Sequence, residues 1–185
     1  MKSKIISIGD EILIGQIVNT NAAYIGEKLF SAGFPVERTV VIGDEEKVLM
    51  DELQESTDNY DITIITGGLG PTHDDITKPT LVKFFKDTLV TDSKVLEHVK
   101  KIFSSKKVYM PEVNIAQALV PSKSKVIWNA NGTAPGILFE TDNKVIIAIP
   151  GVPFEMKTLI DKEIIPYLIS KFKNDFSKVY LHKTL

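Results

Sequence analysis

DITIITGGLGPTHDDIT, residues 61–77, decides how the fold is read. Asp61 to Thr66 carry an apolar, β-branched run without polar alternation, which reads as a strand buried on both faces. The strand runs into Gly67, Gly68 and Gly70, where the backbone can turn sharply because no Cβ stands in the way. A helix follows, with Pro79 suited to its first turn. A buried strand, a glycine loop and a helix in series are the building unit of a parallel sheet.

Upstream, KIISI at residues 4–8 is a similar run, ended by Gly9. Ala22, Ile25 and Leu29 then share one helical face, with N-cap candidates at Asn19 to Asn21 and a stop at Gly33. Val36 to Ile42 reads as a second strand. Asp44 is expected to cap a helix carrying Val48, Leu49 and Leu53, which leads into the strand at Asp61. The resulting β-α-β-α-β series predicts a mainly parallel sheet with right-handed crossovers.

Downstream, helices are expected over Pro79 to Lys86, Ser93 to Phe103 and Pro111 to Leu119. Gly136 to Glu140 and Lys144 to Ile149 form a hairpin around Thr141, Asp142 and Asn143. Pro150, Gly151 and Pro153 break the chain before a last helix bearing Phe154, Leu159, Ile160, Ile164 and Leu168. SKVYLHKTL, residues 177–185, alternates like a strand and ends in mid-pattern, as a truncated piece or a strand completing another element would. The organisation expected is one domain over residues 1–172 and the start of a linking segment over 173–185.

A chain of 185 residues suffices for one α/β domain with a sizeable core. Its 43% hydrophobic and 25% charged residues are ordinary for a globular protein. The net charge of -2 offers no general attraction for nucleic acid, so an anionic ligand must be held locally. The absence of cysteine rules out disulfides and thiolate zinc sites, and three scattered histidines make a poor metal cage. Asp10 and Glu11 interrupt the first apolar run, and no stretch reaches the roughly 20 apolar residues of a membrane span. A cytoplasmic protein without membrane or nucleic-acid partners is the default.

The glycine loop is the strongest chemical signal. Its amides and the following helix can cradle an anion, and Asp74 and Asp75 could hold a hard cation such as Mg²⁺. The plain alternative is a glycine turn whose aspartates and Thr77 merely cap the helix. The loop is neither a Walker A motif nor a dinucleotide GxGxxG fingerprint. In a parallel sheet the first and third strands end on the same edge, so Asp10 and Glu11 of GDEILIGQIVNTN (residues 9–21) can converge on the loop. Asn19 and Asn21 could bind a ligand there or serve as caps. In NANGTAPG, residues 129–136, Gly132 fits a tight turn. In PGVPFEM, residues 150–156, Glu155 is either a surface charge favoured by the helix dipole or a ligand contact. His73 reads as a loop residue, and no serine has the setting of a nucleophile.

Taken in order, IGDEILIGQIVNTN, TGGLGPTHDDIT, NGTAPG and PGVPFEM resemble the amino-terminal domain of CinA-like, competence- and damage-inducible proteins. The likeness spans roughly residues 4–170. The wider superfamily includes molybdopterin-binding proteins such as MoaB and MogA. The resemblance implies a three-layer α/β/α fold and metal-dependent hydrolysis of ADP-ribose to AMP and ribose 5-phosphate. It places Asp10, Glu11, Asn19, Asn21, Gly67, Gly68, Gly70, Thr72, Asp74 and Asp75 around the site; Gly132 and Glu155, from the two later motifs, are candidate substrate contacts beside them. Asp10, Asp74 and Asp75 are the expected catalytic and metal-holding carboxylates, for Mg²⁺ or a similar cation. A pterin-binding or adenylyl-transferring domain, or a catalytically silent nucleotide-binding module, are the other readings. Relatives with this fold imply a homo-oligomer.

Overall fold

The computed structural model describes residues 1–72, 74–141 and 143–173. In chain order it contains β1 (Ser3–Ile8), α1 (Asp10–Leu13), α2 (Thr20–Ser31), β2 (Val36–Ile42), α3 (Glu46–Asn59), β3 (Ile62–Thr66) and α4 (Thr77–Phe84). There follow β4 (Leu89–Thr91), α5 (Ser93–Ser105), a 3-10 turn at Glu112–Ala118, β5 (Leu119–Pro121), β6 (Lys125–Ile127), β7 (Gly136–Thr141) and β8 (Lys144–Ile149). A continuous helical segment closes the described chain: α6 (Pro153–Leu159), a π-helical turn at Ile160–Ile164, and α7 (Ile165–Lys171).

The main sheet has the order β2-β1-β3-β8-β7-β6. β2, β1, β3 and β8 run parallel, while β7 is antiparallel to β8 and β6 to β7. The mainly parallel sheet and the β7–β8 hairpin therefore stand as the sequence predicts. A separate antiparallel pair, β4 with β5, lies outside that prediction.

Strand period two sends successive side chains to opposite faces, and both faces are apolar. Ile5 of β1, Ile62 and Ile64 of β3, and Val145, Ile147 and Ile149 of β8 pack with α2 and the closing helix. Ile6 and Ile8, Ile65, Ile146 and Ala148 pack on the other side against Leu49 and Leu53 of α3 and Leu81 of α4. Two cores on one sheet make the three layers. Each aliphatic side chain buried this way contributes roughly 1.5–3 kcal/mol.

The closing helix is not uniform. Pro166 has no N–H to donate to the turn before it, and the π-helical turn takes up the misfit immediately upstream. The expectation that Asp44 caps α3 is corrected: Glu45 occupies the cap position without a side-chain bond, and Asp44 faces α1 instead. The α4 helix starts at Thr77, before Pro79, whose missing N–H costs nothing in a first turn. SKVYLHKTL, His73 and Asp142 lie outside the described residues.

Candidate functional site

In the order β2-β1-β3 the chain leaves β1 toward β2 on one side and returns to β3 on the other. Ligands of open α/β sheets bind in the crevice beyond such a reversal. Here that crevice is a cleft of about 490 Å³, bounded by Gly9 after β1, Gly67 to Gly70 after β3, and Pro150 and Gly151 after β8. The volume suits a nucleotide-sized ligand.

The glycine loop is built by close approach. Gly67 has φ +110° and sits so near Ile8 that a Cβ would meet the Ile8 carbonyl. Gly68, at φ +63°, leaves the same room for Thr77, whose hydroxyl donates to the Gly67 carbonyl at 2.8 Å. Gly67 N donates to Ile149 O at 3.1 Å and Gly70 N to Asp75 Oδ1 at 2.6 Å, so neither amide is free for a ligand. Among the described residues the N–H groups of Gly68 and Leu69 have no protein acceptor, and both residues line the cleft.

Asp75 shapes this loop. Its carboxylate accepts from Gly70 N, from Thr72 N at 2.8 Å and from the Thr72 hydroxyl. The reading in which Asp75 and Thr77 cap α4 does not hold, because Ile76 takes the cap position without a side-chain bond. Asp75 still borders the cleft, whereas Thr72 is not among its lining residues.

Glu11, Asp44 and Asp74 bring carboxylates to the cleft wall, and among the described residues no lysine or arginine lines it. Asp10 stands just behind them. Its carboxylate accepts weakly from Asp44 N at 3.4 Å, and Asp44 accepts from Asp10 N at 3.4 Å. Burial holds the Asp44 carboxyl above its ordinary range, the backbone bond from Asp10 opposes this, and the charges of Asp10, Glu11 and Asp74 add to it. Asp44 carried no sequence signal beyond that of a helix cap.

A folded-state carboxyl raised in this way binds its proton more tightly than the unfolded chain does. Its contribution to stability is most favourable at low pH and is lost as pH rises through the raised value. Asp44→Asn is therefore expected to raise the melting temperature of the unliganded protein at pH 7, with the gain vanishing below about pH 4, where the unfolded carboxyl also protonates. Thermal unfolding at both pH values checks this. A variant that melts lower at pH 7 would show that the carboxylate is stabilising there.

Asn19 and Asn21 divide the expected tasks. Asn19 Oδ1 accepts from Ala22 N at 3.0 Å, capping α2, while its amide donates to Ser7 Oγ at 2.9 Å. Asn21 Nδ2 donates to Gly151 O at 2.7 Å and leaves a buried Oδ1 without a partner among the described residues. The last two motifs lock together. Asn129 Nδ2 donates to Ala134 O at 2.9 Å and to Glu155 Oε2 at 2.7 Å, and Gly132 is so close to Glu155 that a Cβ there would overlap the carboxylate. Glu155 borders the cleft, whereas Gly132 is outside its lining and makes room for Glu155. Ile17, Val18 and Val152, all more than half exposed, add an apolar lip.

The donor set fits a hard divalent cation in kind, since the lining offers carboxylate oxygens and, among the described residues, no lysine or arginine to balance their charge. Among the described residues no three His, Cys, Asp or Glu side chains form a ready cage. That agrees with the usual Mg²⁺ arrangement of one or two carboxylates completed by substrate phosphate and water.

Residues 4–170 match the family described as "Probable molybdopterin binding domain", and the chain belongs to that family, on its CinA-like branch. It is 46% identical over 186 residues to a CinA-like protein of Flavobacterium psychrophilum, covering 100% of this chain and 44% of the relative. The crystal structure of CinA from Thermoplasma acidophilum superposes with a TM-score of 0.76 at 32% identity, covering 94% of this chain and 96% of that one. The molybdopterin biosynthesis enzyme MoaB of Thermus thermophilus shares the fold, with a TM-score of 0.61 at 16% identity over 97% of this chain and 99% of its own. The chain spans less than half the length of the curated relatives it matches.

Proposed function

We propose that this domain binds a nucleoside diphosphate derivative in the strand-end cleft and hydrolyses the diphosphate of ADP-ribose to AMP and ribose 5-phosphate. The observation that carries the reading is the meeting, in one cleft, of loop amides without a protein acceptor with carboxylates and, among the described lining residues, no lysine or arginine. The N–H groups of Gly68 and Leu69 would hold a phosphoryl oxygen and stabilise charge that develops on it. Asp44 and Asp74 would hold a divalent cation against the phosphates, and Asp10 would orient Asp44 through the bonds each accepts from the other's backbone N–H. Such a cation, when bound, neutralises phosphate charge and favours attack by water. One water adds across the P–O–P bond, so that each product carries a phosphate monoester.

A second reading is favoured by the family match itself. A pterin phosphate would use the same loop amides, with the heterocycle against the apolar lip.

Hydrolysis of ADP-ribose by the purified chain, followed by chromatographic detection of AMP, tests the first reading. Turnover is expected with Mg²⁺ or Mn²⁺ and should be abolished by EDTA. Hydrolysis undiminished by chelator would overturn the cation's role, and no turnover with any divalent metal would leave the pterin reading.

A further inference from the structure

Gln117, in the 3-10 turn at Glu112–Ala118, lines the cleft and is 1% exposed. Its Oε1 is buried without a hydrogen-bond partner, and no bond from its Nε2 occurs among the described residues. An amide oxygen removed from water without a partner costs about 1–3 kcal/mol, so a binding cleft is where one expects a ligand to supply that partner. The turn is held in place from behind. Lys78 of α4, itself buried, donates from Nζ to Ala116 O at 3.0 Å, one residue before Gln117.

An amide offers one acceptor and one donor side by side. Phosphate offers acceptors only, and it is already provided for by the loop amides. The matching ligand edge is that of a heterocycle with an amino group beside a ring nitrogen, which adenine presents and which glutamine commonly reads in bidentate fashion. The pyrimidine ring of a pterin presents the same pair.

We infer that Gln117 is a specificity-determining residue that reads the amino-heterocycle of the ligand in the strand-end cleft. The inference rests on that cleft being the ligand site, and it holds for an adenine or a pterin alike. The Gln117 amide accepts from the exocyclic amino group and donates to the adjacent ring nitrogen. A ligand without the heterocycle gains nothing from it.

The test compares Gln117→Met with the unmodified chain by calorimetric titration of AMP, ribose 5-phosphate and 2-amino-4-hydroxypteridine in the presence of Mg²⁺. Methionine has nearly the same shape and no polar end, and the amide makes no bond within the protein. The unliganded melting temperature should therefore not fall, whereas a purely structural glutamine would lower it when replaced. Affinity for AMP is expected to fall at least about tenfold, with that for ribose 5-phosphate unchanged. If AMP does not bind but the pteridine does, and loses affinity in the variant, the nucleotide reading fails while the role of Gln117 stands. If a heterocycle binds equally to both proteins, Gln117 has no such role and the cleft assignment survives. Binding of neither heterocycle overturns both.

Discussion

Gly67→Val is expected to lower the melting temperature by roughly 10 °C and to abolish ligand binding. Gly67 adopts φ +110°, a conformation that costs a residue with a Cβ about 1–3 kcal/mol. The added branch would also meet the backbone carbonyl of Ile8 at the end of β1, and Gly151 crowds the loop at this point, where a Cβ on Gly151 would lie 3.3 Å from the Gly67 Cα. Neither can yield easily, because β1 lies inside the sheet between β2 and β3. Overpacking of this kind adds about 1–3 kcal/mol, and near 180 residues each kcal/mol is worth about 2–4 °C. Scanning calorimetry checks the prediction, and an unshifted transition would mean that the loop is free to rearrange. The neighbouring Gly68→Val should also destabilise. Its Cβ falls on Thr77, where α4 begins and where the loop is tied down.

Asp75→Asn is expected to weaken binding of AMP at least tenfold, equivalent to about 1.4 kcal/mol, and to lower the melting temperature by about 4–8 °C. From sequence alone, a metal-ligand role predicts lost activity in an intact fold, and a helix-cap role predicts the reverse. The structure assigns a third part. Two amides and a hydroxyl converge on the carboxylate, and an asparagine would turn its NH₂ toward one of those donors. Losing charge-assisted bonds at a half-exposed site costs on the order of 2 kcal/mol. Binding measured with and without Mg²⁺ separates the accounts. Weaker binding in both conditions with a lowered melting temperature supports the loop role, while a defect confined to Mg²⁺ in a protein of unchanged stability would make Asp75 a cation ligand.

The sequence was legible where its signals were long. β1, β3 and β8 are rich in isoleucine and other β-branched residues, and the apolar period of α2 and α3 leaves little choice of face, so the parallel sheet and the cleft at its edge follow from pattern alone. The strands β4, β5 and β6 have three residues each, too short for any period to show. The roles within the cleft were less legible, because they depend on which groups the fold has already satisfied. Gly67 and Gly70 look alike as loop amides, yet both are bonded within the protein, while Leu69, an apolar residue in a glycine motif, contributes a free N–H. Asp44 and Asp10 exchanged expected places because the single turn of α1 sets them backbone to side chain. Gln117 belongs to no motif, and its significance lies only in a missing partner.

The claim on which the rest depends is that the ligand sits over the loop between β3 and α4, at the ends of β1, β3 and β8. Amide chemical shifts of the isotopically labelled chain, followed during titration with AMP and Mg²⁺, test it most directly. The account predicts that the largest changes fall on Gly68, Leu69 and the Asn21 side-chain amide, with smaller ones at Gln117. Saturable changes confined to residues away from the strand ends would contradict it.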